Sequence, residues 1–175
     1  MRRRSRAVLF AAAGIGFASA TAASAAPSPV GEWMVANGQA IIRIVDCGGQ
    51  YWGLVAWEKN PGGTDVNNPN PALRNRPTLG MPILLGMTSS AAQPTWSGQI
   101  YNSQDGRTYA GRVSLAGPAT LHVEGCVLGF LCGGEDWRRV NGGAAMAASG
   151  RSGGRTAAVA KEPASRVCSE VLRRH

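Results

Sequence analysis

The chain predicts an all-β protein, a small antiparallel barrel of eight up-and-down strands followed by a flexible C-terminal tail. Three observations point there. Between Gly31 and Val140, alternating or apolar segments recur every 8 to 12 residues and no helical period develops. The breaks between them carry hairpin chemistry: Asn37-Gly38, Cys47-Gly48-Gly49, Gln104-Asp105-Gly106 and Gly117-Pro118. Finally, Gly53, Gly98, Gly111 and Gly125 stand where alternation would place a side chain, which requires strongly bent strands or close backbone approach. Curvature of that kind suits a closed barrel, and closure removes exposed strand edges. A flat two-sheet sandwich is the second architecture compatible with the pattern.

Residues 1–25 precede the patterned region and read as a secretory signal peptide. Arg2, Arg3, Arg4 and Arg6 lead into an apolar run from Ala7 to Ala20, and small residues close it at Ala23-Ser24-Ala25. The run is shorter than the ~20 residues that span a bilayer. The barrel domain then occupies 26–140, and 141–175 is a Gly/Ala-rich linker with a short C-terminal helix. The expected strands are 31–36, 39–46, 51–58, 82–87, 95–102, 107–115, 119–125 and 131–140, joined mostly by tight turns. The longest connection, residues 59–81, holds most of "DVNNPNPALRNRPTLGMPIL" (residues 65–84), which runs on into the fourth strand. Its Asn-Pro and Arg-Pro steps forbid a helix and hold an ordered crossing loop.

Charge narrows the partners. The chain carries a formal +8, and removing the leader takes away four arginines. From Gly31 to Val140 basic and acidic residues balance at eight each, so the surplus lies in the tail. A nucleic-acid face is therefore not expected, because no basic stripe exists and no aromatics interleave with one.

Two short signals mark the ends of the domain: "GEW" (Gly31 to Trp33) on the first strand and "DWRRV" (Asp136 to Val140) on the last. Gly-x-Trp with an Arg on the closing strand resembles the lipocalin and calycin pattern, in which Arg packs across the Trp face. Either Arg138 or Arg139 could take that role opposite Trp33. A broader resemblance covers nearly all of 31–140. "AIIRIVDCGGQYWGLVAW", the loop already quoted, "WSGQIYNSQDGRTYAGRVSL" and "LHVEGCVLGFLCGGEDWRRV" occur in the order found in the exported bacterial family known as domain of unknown function 2147. The resemblance implies an exported, lipocalin-like barrel and carries no activity to transfer. In members similar to this chain a second Cys follows the first within one hairpin, where this chain has Tyr51 and Trp52, so Cys47 lacks a local partner.

Against that background the four cysteines of an exported chain read as two disulfides. Cys126 and Cys132 flank "VLGFL" across a strand connection and are the expected local pair. Cys47 is left for Cys168. In the segment holding Cys168, Ala164, Val167, Cys168, Val171 and Leu172 fall on one helical stripe behind Pro163. Two outcomes are open: a helix docked on the barrel and pinned to Cys47, or a frayed tail whose thiol pairs elsewhere or not at all.

Candidate ligand-binding residues come from the long loop and the aromatics. Asp65 and Asn68 supply oxygens, yet no glutamate closes a calcium-type set, so no metal is expected. Asp65 with Arg74 or Arg76 makes a loop-fixing salt bridge, and an Arg left over the barrel mouth could bind carboxylate or phosphate. Trp57, Trp96, Tyr101 and Tyr109 are candidates for a pocket lining or for core. Zinc-helix and nucleotide-binding motifs are missing from the sequence, and the Gly-x-Ser-x-Gly string at Gly150 to Gly154 falls in the Gly/Ala-rich linker rather than between a strand and a helix. His122 falls on the polar face of its strand, and Asp105 fits a turn, so neither catalytic residues nor a cofactor are expected. The resulting expectation is an exported, periplasmic or secreted, non-enzymatic barrel. It would bind a small apolar or amphipathic ligand, or a cell-envelope component, at the end covered by the long loop. A structural or protein-interaction module is the alternative, and a hydrolase the weakest.

Overall fold

A computed structural model describes residues 27–89, 94–128, 130–140 and 163–174. The expected leader at 1–25 and the linker after Val140 lie outside the described residues. Eight strands form a closed antiparallel barrel in chain order: β1 (Gly31–Met34), β2 (Ala40–Asp46), β3 (Gln50–Glu58), β4 (Pro82–Ser89), β5 (Thr95–Asn102), β6 (Arg107–Gly117), β7 (Thr120–Val127) and β8 (Leu131–Val140). The ring closes where Trp33 of β1 pairs with Arg139 of β8. Every expected strand is present. The first is shorter than its apolar pattern, ending at Met34 because Val35 already turns, accepting from Gly38 N.

Alternation sorts the side chains into an interior and an outer wall. Trp33, Ile42, Ile44, Leu84, Met87, Trp96, Val113 and Leu121 are almost wholly buried, and with Val55, Val123 and Trp137 they form one interior cluster. Gly98 and Gly111 serve this packing. A Cβ at Gly98 would stand 2.6 Å from Met87 Sδ, and one at Gly111 would stand 2.3 Å from Ile100, so larger neighbours fill those positions.

On the outer wall, Val45 and Trp52 are cross-strand partners and are covered by a helix, α1 (Ala164–Arg174), through Val167 and Val171. An isolated 11-residue helix is marginal in water. Here Val167 and Val171 of its apolar stripe are buried while Ala164 and Leu172 stay exposed, and Cys168 is bonded to Cys47 with a Cα–Cα distance of 5.3 Å. The docked arrangement, one of the two left open by the sequence, is the one observed for residues 164–174. Among the described residues no helix is long and apolar enough to cross a membrane.

The long loop lies against the barrel and is held by its own polar groups. Thr64 bridges Pro77, and Asn70 caps a single 3-10 turn, Pro71–Leu73, by accepting from Ala72 N at 3.0 Å. Asn67 Nδ2 donates to the carbonyls of Ser103 and Gln104, which ties the loop to the β5–β6 hairpin.

Candidate functional site

The two ends of the barrel differ. At one end Arg139 lies across the Trp33 ring, its guanidinium carbon 4.1 Å from the centroid. The same guanidinium donates to Pro118 O (2.9 Å), Val30 O (2.8 Å) and Ser28 O (3.3 Å), while Trp33 Nε1 donates to Pro29 O at 2.8 Å. Burial pushes the Arg139 pKa below the ordinary arginine value. Gly31 makes the approach possible: its φ of +138° favours glycine, and a Cβ there would stand 2.6 Å from Arg139 Nη1. The sequence left Arg138 and Arg139 open; Arg138 is exposed, one residue off the inward register.

The opposite end is open. A cavity of about 830 Å³ descends from it, with Ile42, Val55, Ile83, Ile100, Val123 and Trp137 among its apolar walls. Gly125 and Gly133, directly opposite each other on β7 and β8, also line it. A Cβ on Gly133 would meet nothing within 4 Å, and one on Gly125 only Tyr109 Cβ at 3.6 Å. This glycine pair therefore leaves space that neighbouring side chains do not fill, unlike Gly98 and Gly111.

Two carboxylates face this cavity. Glu135 accepts from Trp137 Nε1 at 2.5 Å, and Glu58 lines the wall with Oε2 shielded from solvent and accepting no hydrogen bond. A β-bulge positions Glu58: Ile41 pairs with Trp57, but Ile42 pairs with Val55, so Ala56 is an extra residue. Strict alternation from Val55 would turn Trp57 inward. The bulge instead keeps Trp57, which is buried, out of the cavity lining and sends Glu58 in, opposite Ala40.

The loop residues singled out by the sequence are brought together, but with one another. Asp65 is fully buried. Its Oδ1 accepts from Tyr101 OH (2.6 Å), and its Oδ2 accepts from Asn68 Nδ2 (2.7 Å), Arg76 Nε (2.8 Å) and Arg76 Nη2 (2.8 Å). Arg76 also stands 5.4 Å over the Tyr101 ring, and Arg74 Nε donates to Asn68 O. Burial first, and then the bond to Asp65, raise the Tyr101 pKa. Asp65 and Asn68 thus spend their polar groups on fixing the loop, and of the two arginines left open by the sequence, Arg76 makes the salt bridge. Trp96 packs in the core with its ring edge against Tyr51, centroids 5.8 Å apart. Of the residues named from sequence as ligand-binding candidates, Tyr101 and Tyr109 reach the cavity lining. Tyr109 OH donates a short hydrogen bond to Asp105 at the rim, which raises the phenol pKa and lowers that of the carboxylate.

Other clusters have ordinary accounts. His122 Nδ1 lies 2.7 Å from Asp136 Oδ1 on the exposed outer wall, and Ser114 is the cross-strand neighbour of His122. The far edge of that imidazole lies against Gly134. Glu124, Cys126 and Cys132 cluster within metal-binding reach, but the two sulfurs are bonded to each other, with Cα atoms 4.0 Å apart. A second hollow of about 710 Å³ lies outside the barrel between α1 and the long loop, where Arg76, Leu73 and Val171 line it.

A family model described as "Uncharacterized protein conserved in bacteria (DUF2147)" matches residues 31–139. Among solved structures the chain is similar to one described as "Protein HP1028 from the human pathogen Helicobacter pylori belongs to the lipocalin family". The TM-score is 0.66 and the identity 19%, over 83% of this chain and 97% of the other. At that identity the likeness shows the fold. No curated protein matches the chain.

Proposed function

We propose that this chain, which belongs to the bacterial family DUF2147, is an exported, non-enzymatic barrel that binds a small apolar or amphipathic ligand through the open end of its calyx. One observation carries the reading: a cavity of about 830 Å³, within the usual range of small-molecule sites, enters a barrel whose other end is sealed by Trp33 and Arg139. Apolar walls supply the affinity, and a small number of polar groups set the orientation. The lining aromatics Tyr101 and Tyr109 would contact the ligand near the mouth, while the Asp65 network with Asn68, Arg74 and Arg76 holds the loop in place beside it. Export, to the periplasm or beyond, is supported by the basic and then apolar leader at 1–25 and by two disulfides, which persist in oxidising compartments.

Native mass spectrometry of the mature chain, purified without reduction from its own compartment, tests this reading. A co-purifying adduct lost on denaturation supports it, and Gly133→Phe, which fills the calyx, should abolish the adduct while the barrel stays folded. A bare chain across growth conditions, together with no uptake of apolar probes by the purified protein, would sink it. A second reading has its own observation. Val127, Leu128, Phe130 and Leu131 are large, apolar and exposed at the β7–β8 tip, Leu128 and Phe130 most of all at 81% and 71%. An exposed apolar tip of that kind suits contact with a protein or an envelope surface.

A further inference from the structure

The calyx wall is electrostatically one-sided. Among its described lining residues stand two carboxylates, Glu58 and Glu135, and no Lys, Arg or His. Three of the barrel's arginines are used elsewhere. Arg139 seals the far end, Arg76 is bonded to Asp65, and Arg43 lies 2.8 Å from Glu32. Glu135 is one inward position above Trp137, which forms part of the floor, and its Oε1 is oriented by the indole N–H. Glu58 stands at the mouth end of β3 with Oε2 out of water and accepting nothing. A carboxylate oxygen removed from water is costly until a charge-assisted donor reaches it. An anionic head group brought beside these carboxylates would meet repulsion instead.

We propose that the calyx selects amphipaths with a cationic head group, a protonated amine or quaternary ammonium on an apolar body. This rests on the ligand-binding reading above and deepens it. The apolar body would lie against Ile42, Val55 and Val123, and the head group would reach Glu58 or Glu135. The preference runs against the net charge of the chain, which is positive. Long-range attraction of the whole protein for anions therefore cannot produce it.

The test compares three amphipaths of equal alkyl length, dodecyltrimethylammonium, dodecyl maltoside and dodecyl sulfate, each titrated as monomer into the mature disulfide-intact protein by calorimetry. The ammonium should bind at least tenfold tighter than the sulfate, with the maltoside between them. In the Glu58→Gln/Glu135→Gln double variant the ammonium should fall to the level of the maltoside, while maltoside binding persists and shows that the calyx is intact. Equal binding of all three, or tighter binding of the sulfate, overturns the charge selection and leaves the calyx reading standing. A preference for ammonium that survives in the double variant overturns the assignment to these two residues. Binding of none of the three overturns both, and the unsubstituted protein alone decides that outcome.

Discussion

The guanidinium of Arg139, on the last strand, stacks 4.1 Å from the ring centroid of Trp33, on the first, and these two residues are cross-strand partners at the seam that closes the barrel. A single side chain thus covers a buried indole and accounts for three carbonyls from the N-terminal segment and the β6–β7 turn.

Replacing it should weaken the fold at its closure. Arg139→Ala loses a shielded cation–π contact of ~1–2 kcal/mol and strips charged donors from carbonyls that it now satisfies, a loss of about 3 kcal/mol in all. Arg138→Ala, one residue away and exposed, should change stability by less than about 0.5 kcal/mol. Urea midpoints of the two variants check the contrast, and equal losses would contradict the assignment of the seal to Arg139.

Asp65 should be the most sensitive position in the long loop. Asp65→Ala leaves Arg76, Asn68 and Tyr101 without their shared acceptor, and breaking one side of a buried charged pair costs about 3–5 kcal/mol. Hydrogen exchange should report the loss first at residues 63–78, where the loop's own backbone bonds lie.

Alkaline pH should weaken the same network. The Tyr101 pKa is raised in the folded protein, chiefly by burial and then by Asp65. The folded state therefore holds its phenolic proton to higher pH than the unfolded chain does, whose tyrosines titrate near about pH 10. That contribution is complete below about pH 10 and is lost as pH rises through the raised value. Denaturant unfolding at stepped pH should show stability falling in this window, and Tyr101→Phe should flatten part of the fall.

The disulfides should differ in weight. Cys47–Cys168 closes a loop across a sequence separation of 121, worth about 5 kcal/mol on chain-entropy grounds, whereas Cys126–Cys132 spans a separation of 6, worth about 2. Cys168→Ser should release α1 and expose the surface around Val45 and Trp52 that it covers. Loss of amide protection confined to α1 and the outer faces of β2 and β3, with the barrel still protected, is the expected signature.

Local physics determined much of this molecule. Period-two alternation and the turn residues depend only on neighbours along the chain, so the eight strands and their meander order were legible in the sequence. So was the helical stripe at Ala164, Val167, Val171 and Leu172, because spacing alone defines a helix face. The Gly-x-Trp and Trp-Arg-Arg signals foretold the seal but left two arginines open, since choosing between them requires the register of β8 against β1.

The calyx was decided only in three dimensions. Glu58 became an inward group because a bulge opposite Ile41 and Ile42 inserts Ala56 and reverses the phase of alternation, and no local pattern announces such an insertion. Glu135 shares an inward face with Trp137 by simple spacing, but whether that face meets packed side chains or open space depends on what stands opposite. The same holds for the glycines. Gly98 and Gly111 are filled by Met87 and Ile100, while Gly125 and Gly133 face each other and leave room. Asp65 was readable as a loop-fixing carboxylate, yet its bond to Tyr101 joins residues 36 apart, and only the folded chain brings them within reach.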